Sequence, residues 1–245
     1  MIAYELPLGL GILGVVLASG SLQLDEIIRA QATDGVWYAF AQPLGFVVFV
    51  VAAFAEAARL PFDLPECEQE LVGGYHTEYA GIKLLLFLVA EFLHMITASF
   101  LIVILFLGGW HLWGITGDPD QPVTWVTALL RHGVLMTKIF MVILFFMLVR
   151  WSWPRFRFDQ LMTLAWKIML PLGLVNLFTL AVLHEAIEAG WFGGMFSGRG
   201  GLVWVCLIGW GVAIGSWIVV AWMSPLVTDN RPQYETTKFG VDPQI

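Results

Sequence analysis

Apolar residues fall along the chain in about six long runs, at approximately 2–20, 37–58, 81–108, 126–149, 161–183 and 202–223. An apolar run of about 18 residues or more is the length that lets a helix cross a hydrocarbon layer of roughly 30 Å. The predicted fold is therefore all-α: a polytopic transmembrane helical bundle of about six spans, forming a single domain over residues 1–245. Pro43 and Pro171 fall inside two of the runs, which membrane helices tolerate when neighbours satisfy the freed carbonyls. Most connections are short. The exceptions are the stretch 59–80 and a polar C-terminal tail, 225–245. No internal repeat is visible, and neither is the inverted symmetry of many transporters.

Composition agrees with that pattern. Hydrophobic residues make up 59% of the chain and charged ones 13%, and the mean hydropathy is +0.80. A soluble domain carries about 25% charged residues. The net charge of −7 offers nothing to nucleic acid. Cys67 lies in a polar connection and Cys206 in an apolar run, so neither a disulfide framework nor a metal or iron–sulfur site held by this chain alone is expected. Met1 is followed at once by IAYELPLGLG, without the basic stretch that opens a secretory signal.

Charge becomes informative when its position is considered. Arg59, Arg150, Arg155, Arg157, Arg231 and Lys238 fall on one side of a six-span arrangement, and Arg29 and Arg199 on the other. The first side, which holds both termini, is read as cytoplasmic. Trp110, Trp151 and Trp222 at span ends fit an aromatic belt.

Ionisable groups within spans are costly and are functional candidates by default. Lys83, Glu91 and His94 share a helical face about 80° wide, with Thr97 adjacent. Arg131 and Lys138 share another face, and Lys167 lies with Thr163. The alternative is that such charges snorkel or pair and only hold the bundle together. Glu91 is too deep to snorkel easily.

The connection after the second run is stranger. Glu56, Asp63, Glu66, Glu68, Glu70, Glu78 and Glu91 place seven of the 19 acidic residues within 36 positions. Asp63, Pro65 and Glu66 read as the start of a short helix, on which Asp63, Glu66 and Glu70 would share a face. Leu60, Phe62, Leu64, Leu71 and Val72 interleave with the acids, as expected of a packed segment rather than a solvated loop. Crowded, half-buried carboxylates are a physical route to exchangeable protons near neutral pH. On physics alone, proton handling and a solvated acidic surface both remain open.

The stretch EAARLPFDLPECEQELVGGYHTEYAGIKLLLFLVAEF, Glu56 to Phe92, resembles the signature of the H-type membrane subunit of bacterial NADH:quinone oxidoreductase, which forms the quinone chamber of respiratory complex I. PRFRFDQLMTLAWKIMLPLGL, Pro154 to Leu174, and MIAYELPLGL at the start are similar to two further blocks of that family, in the same order. Beyond residue 183 only hydropathy agrees. Two departures stand out: the family's E-T-N-R reads Glu56-Ala-Ala-Arg59 here, and Leu60 precedes Pro61 where a small or polar residue is more usual.

The resemblance implies a membrane protein without a cofactor of its own, in the bacterial inner membrane. Quinone would be its substrate, and the iron–sulfur clusters and FMN would sit in partner subunits. It nominates Glu5, Glu56, Asp63, Glu66, Glu68, Glu70, Glu78 and Glu91 for proton coupling, and Arg59, Phe62, Asp63 and Glu66 for the quinone chamber. Arg59, Arg155 and Arg157 would balance the acidic segment or bind partners, and coupled carboxylates of this kind titrate as a set. Besides a non-enzymatic membrane scaffold, which no feature favours, two rivals are an ion-coupled transporter using Glu91 and His94, and the related membrane component of energy-converting hydrogenases. The first does not account for the 61–79 motif; the second usually continues differently after Pro-Phe-Asp. Met1 coincides with an internal position of the family, so the chain is expected to be a truncated version, or one piece, of a longer protein. Glu5 is then expected near a frayed helix end.

Overall fold

The computed structural model describes residues 2–57, 59–63, 72–113, 115–117, 124–189 and 198–227. Among these residues there is helix and no strand. The order is α1 (Ile2–Ser19), α2 (Leu24–Asp34), α3 (Tyr38–Ala41), α4 (Pro43–Glu56), a 3-10 turn (Gly74–Thr77), α5 (Ile82–Phe106) and α6 (Trp125–Ser152). Then come α7 (Phe158–Thr163), a π-helical stretch (Leu164–Met169), α8 (Leu170–Glu188) and α9 (Gly198–Val227). α9 thus reaches into the stretch expected to be tail.

Each expected apolar run is helical, but not each is one straight span. Among the described residues four helices are long and apolar enough to cross a membrane: α5, α6, the continuous rod from α7 through α8, and α9. The pair α1 and α2, bent by 59°, brings the number to as many as five. The run 37–58 is divided at Gln42–Pro43 into a four-residue and a 14-residue helix. Pro43 has no N–H for the carbonyl of Ala39, and its ring pre-sets the first position of a new helix. Pro171 is absorbed differently. It follows the π-helical stretch, whose wider turn makes room for a ring that would otherwise press on the preceding turn.

α1 packs chiefly on α4 and α8, at places where small residues let backbones approach. A Cβ at Gly11 would lie 3.0 Å from Phe49, and one at Gly173 would lie 3.0 Å from Leu10. The shared core holds Val15, Phe49, Phe54, Phe106 and Phe146. Phe54 stacks on Phe146 with ring centroids 3.9 Å apart.

At the C-terminal end of α5 the last carbonyls need partners from elsewhere in the chain. Gln31 of α2, fully buried, donates from Nε2 to the carbonyls of Ile104 and Leu105 at 3.1 and 3.2 Å. Its Oε1 accepts from Tyr38 N. Lys138 Nζ of α6 donates to the carbonyls of Leu107 and His111, both at 2.6 Å, and lies 4.5 Å from the Trp37 ring centroid. Arg131 donates from Nε to Thr116 O at 3.2 Å and covers the Trp110 ring. The cationic face predicted on α6 therefore holds the Leu107 carbonyl at the end of α5 and the irregular segment that follows it.

Candidate functional site

Beside the middle of α5, at Glu91 and Phe92, three segments far apart in sequence meet: the start of α1, residues 59–63, and residues 155–161. Tyr4 Oη donates to Leu161 O at 2.7 Å, and its ring meets Phe62 edge-on at 5.7 Å. Phe62 in turn contacts Phe156 at 5.7 Å, and Phe156 N donates to Pro61 O at 3.1 Å. Phe62 N donates back to Arg59 O at 2.8 Å, closing a tight turn in which the Leu60–Pro61 peptide is cis. The turn aims Arg59 and Asp63 inward: Arg59 is 4% exposed and Asp63 2%.

Their partners come from other elements. Arg59 Nη1 lies 3.1 Å from Glu91 Oε1, and its guanidinium covers the Phe92 ring at 4.7 Å. Arg155 Nη2 lies 3.9 Å from Asp63 Oδ2. A buried ion pair is strong only against its own disruption, since the desolvation of both charges offsets most of their attraction. Among the described residues, Glu56 Oε2 and Arg59 Nε and Nη2 are shielded from solvent and lack a hydrogen-bond partner. Native interiors rarely leave such groups unsatisfied. Bonding capacity to spare therefore lies on one carboxylate oxygen of half-buried Glu56 and on the buried Arg59 guanidinium.

Phe62, Pro61 and Phe156 also form one end of an apolar chamber of about 460 Å³. Val51 and Phe54 of α4, and Leu164 and Met169 of the π-helical stretch, line its body. The lining is wholly apolar; the charged cluster belongs to the same turn and segment as Pro61, Phe62 and Phe156 but does not itself line the chamber.

The NADH dehydrogenase family model matches residues 1–181. The chain belongs to this family. The H-type NADH-quinone oxidoreductase subunit of Bacillus mycoides (strain KBAB4) is 45% identical over 185 residues, 76% of this chain and 52% of the relative. The corresponding protein of Cytophaga hutchinsonii, also an NADH-quinone oxidoreductase subunit, is 47% identical over 178 residues, covering 72% and 51%. NADH-quinone oxidoreductase subunit 8 of Rhodothermus marinus is 43% identical over 195 residues, covering 74% and 55%. The chain thus spans about half the length of the curated relatives it matches. α9 lies outside the family match.

The predicted site residues of this family member fall into three groups. Arg59, Phe62, Asp63 and Glu91 are brought together as described, and Glu56, half-buried, ends α4 just before them. Glu5 and Glu78 are exposed. Glu66, Glu68 and Glu70, with the short helix expected to begin at Asp63, lie outside the described residues. The stripe predicted on α5 is not buried as a whole. Lys83, His94 and Thr97 are exposed on the surface of this chain, and only Glu91 turns toward Arg59. The start of α1, expected to fray, is held by the Tyr4 bond to Leu161 and the contact with Phe62. The altered motif position Ala57 is 1% exposed, so the departure from E-T-N-R puts a methyl group into packed core. Sequence reasoning missed Tyr4 and Phe156. Their only signal was that they lie inside two of the three resembling blocks.

Proposed function

We propose that this chain forms the quinone-binding chamber of a proton-translocating NADH:quinone oxidoreductase and couples quinone reduction to proton movement. The observation that carries this reading is the cluster of buried Arg59 and Asp63 with partly buried Glu91 and Arg155, on the segments whose Pro61, Phe62 and Phe156 line the apolar chamber. A quinone is an apolar tail bearing a polar ring. The chamber suits the tail, and the donors and carboxylates beside Phe62 suit a headgroup that takes up protons when it is reduced. In a low-dielectric pocket a change of charge on the ring alters the ionisation of neighbouring carboxylates. Glu91, already inside α5, carries that change from the chamber toward the membrane. Glu56, Glu5, Glu78 and the acids Glu66, Glu68 and Glu70 extend the proposed coupling set. No cofactor is assigned to this chain. FMN and iron–sulfur clusters belong to partner subunits, on which its activity depends, and the assembly sits in the inner membrane of a bacterium.

The test uses the assembled enzyme in membranes. Asp63→Asn and Glu66→Gln keep side-chain volume and hydrogen-bonding capacity while removing the charge and the exchangeable proton. Both should lower quinone reduction and proton pumping at least several-fold, with membrane insertion and assembly retained. Assembled enzyme with unchanged quinone reduction in both variants would return the acidic segment to a solvated surface.

A further inference from the structure

We infer that Gln42 and Asn176 form a binding site for a single ordered water molecule inside the bundle, at the break between α3 and α4. Gln42 is 2% exposed and Asn176 6%. Gln42 Nε2 reaches Gly14 O only at 3.4 Å, and its Oε1 has no hydrogen-bond partner among the described residues. Asn176 Nδ2 has none either. The two groups converge. A Cβ placed on Gly14 would lie 2.9 Å from Asn176 Nδ2 and 3.3 Å from Gln42 Oε1, yet the donor and the acceptor do not bond each other. Beside them is a void of about 10 Å³ lined by Ala41, Gln42, Asn176 and Thr179. A water needs room for about one such sphere and two to four polar partners.

The chemistry selects the occupant. No charged group lines the void, and an unpartnered amide N–H of a lining residue disfavours a cation. A buried acceptor opposite a buried donor calls for a small neutral molecule that accepts from Asn176 and donates to Gln42. Thr179 Oγ1, which donates to Val175 O at 2.7 Å, keeps lone pairs for a third bond. The site also has a lid. Val205, Ile208, Gly209 and Val212 of α9 close it, and Gly209 sits so tightly on the break that a Cβ there would collide with the Ala41 carbonyl oxygen. The helix outside the family match thus seals a hydrated joint between α1, the broken α3–α4 element and α8. The inference is independent of the function proposed above.

The experiment is a cryo-electron-microscopy map of the intact membrane complex, at a resolution that shows buried waters elsewhere in this chain. A peak within hydrogen-bond distance of both Gln42 Oε1 and Asn176 Nδ2 is expected. It should vanish in Asn176→Leu, which fills the void and removes the donor, and persist in Thr179→Val, which leaves the bridge intact. An empty void, or the two amides bonded directly to each other, would overturn the proposal. If the variants fail to assemble, the unaltered protein decides the matter alone.

Discussion

Both ends of the α5 stretch from Glu91 to Leu107 meet inward-turned cations, and the two ends satisfy them by different means. At the C-terminal end Lys138 and Arg131 spend their donors on backbone carbonyls and lie against Trp37 and Trp110. Those carbonyls belong to Leu107, at the end of α5, and to His111 and Thr116 in the segment beyond it, so the cations tie down that segment. A fixed cation there favours the negative end of the helix dipole and needs no proton to move. At the other end Arg59 and Arg155 face carboxylates, and Arg59 keeps two buried donors with no partner among the described residues. The distance between the ends, from Glu91 to Leu107, is about 24 Å at 1.5 Å per residue. An intramembrane charge is therefore weak evidence of function by itself. What it faces decides: carbonyls and rings make it structural, a carboxylate on a segment that adjoins a chamber makes it a candidate for charge movement.

The sharpest way to break this contrast is at Glu91. Glu91→Gln removes the charge that holds Arg59 and leaves a buried guanidinium opposed by a neutral amide. Quinone reduction and pumping in the assembled enzyme should fall tenfold or more, which corresponds to about 1.4 kcal/mol of transition-state stabilisation. Breaking a buried pair also costs about 3–5 kcal/mol of stability when an unpaired charge is left behind. The cost here should be lower, because the Glu91 side chain is still 20% exposed. Arg59→Met with Glu91→Leu should restore the melting temperature without restoring activity. If the double variant were fully active, the pair would be structural and the two ends of α5 would not differ.

Lys138→Met tests the other end. It leaves the Leu107 and His111 carbonyls without their donor, at about 1–3 kcal/mol for each buried acceptor stranded. Thermal stability and the yield of folded protein should drop, while the turnover of each enzyme that does assemble stays unchanged. A selective loss of pumping with stability intact would move Lys138 into the coupling machinery and make the ends alike.

The contrast also shows what could be read without coordinates. Hydropathy located every helix longer than ten residues except α2, whose alternation of Asp25, Glu26, Arg29 and Gln31 with apolar residues reads as a connection until it is folded back on α5. It could not see the division at Gln42–Pro43, because one missing N–H leaves an apolar run apolar. Arg59 and Glu91 were both conspicuous in the sequence. Their pairing was not, because it depends on the tight turn at 59–62 that aims Arg59 at α5. The α6 cations looked the same as Glu91 on a helical wheel. Only the carbonyls they meet, in the irregular segment after α5, distinguish them. Gln42 and Asn176 drew no attention at all, since a lone amide in a long apolar run carries no charge and leaves the run apolar; Gln31 was lost in the polar stretch of α2.

The smallest expected effect separates the scaffold of the site from its chemistry. Tyr4 donates to Leu161 O at 2.7 Å and touches Phe62, so it ties α1 to both segments that carry the buried charges. Its hydroxyl has no carboxylate to exchange a proton with in that bond. Tyr4→Phe keeps the ring on Phe62 and deletes one buried hydrogen bond, leaving the Leu161 carbonyl to be satisfied within its own helix. The loss should be about 1 kcal/mol of stability, read as a modest fall in melting temperature. Quinone reduction at saturating substrate should be unchanged, and any change should appear in KM, because Phe62 in the chamber wall is held less firmly. A large fall in kcat with an unaltered melting temperature would make Tyr4 part of the proton path, and the boundary drawn between positioning and coupling residues at this end would have to move.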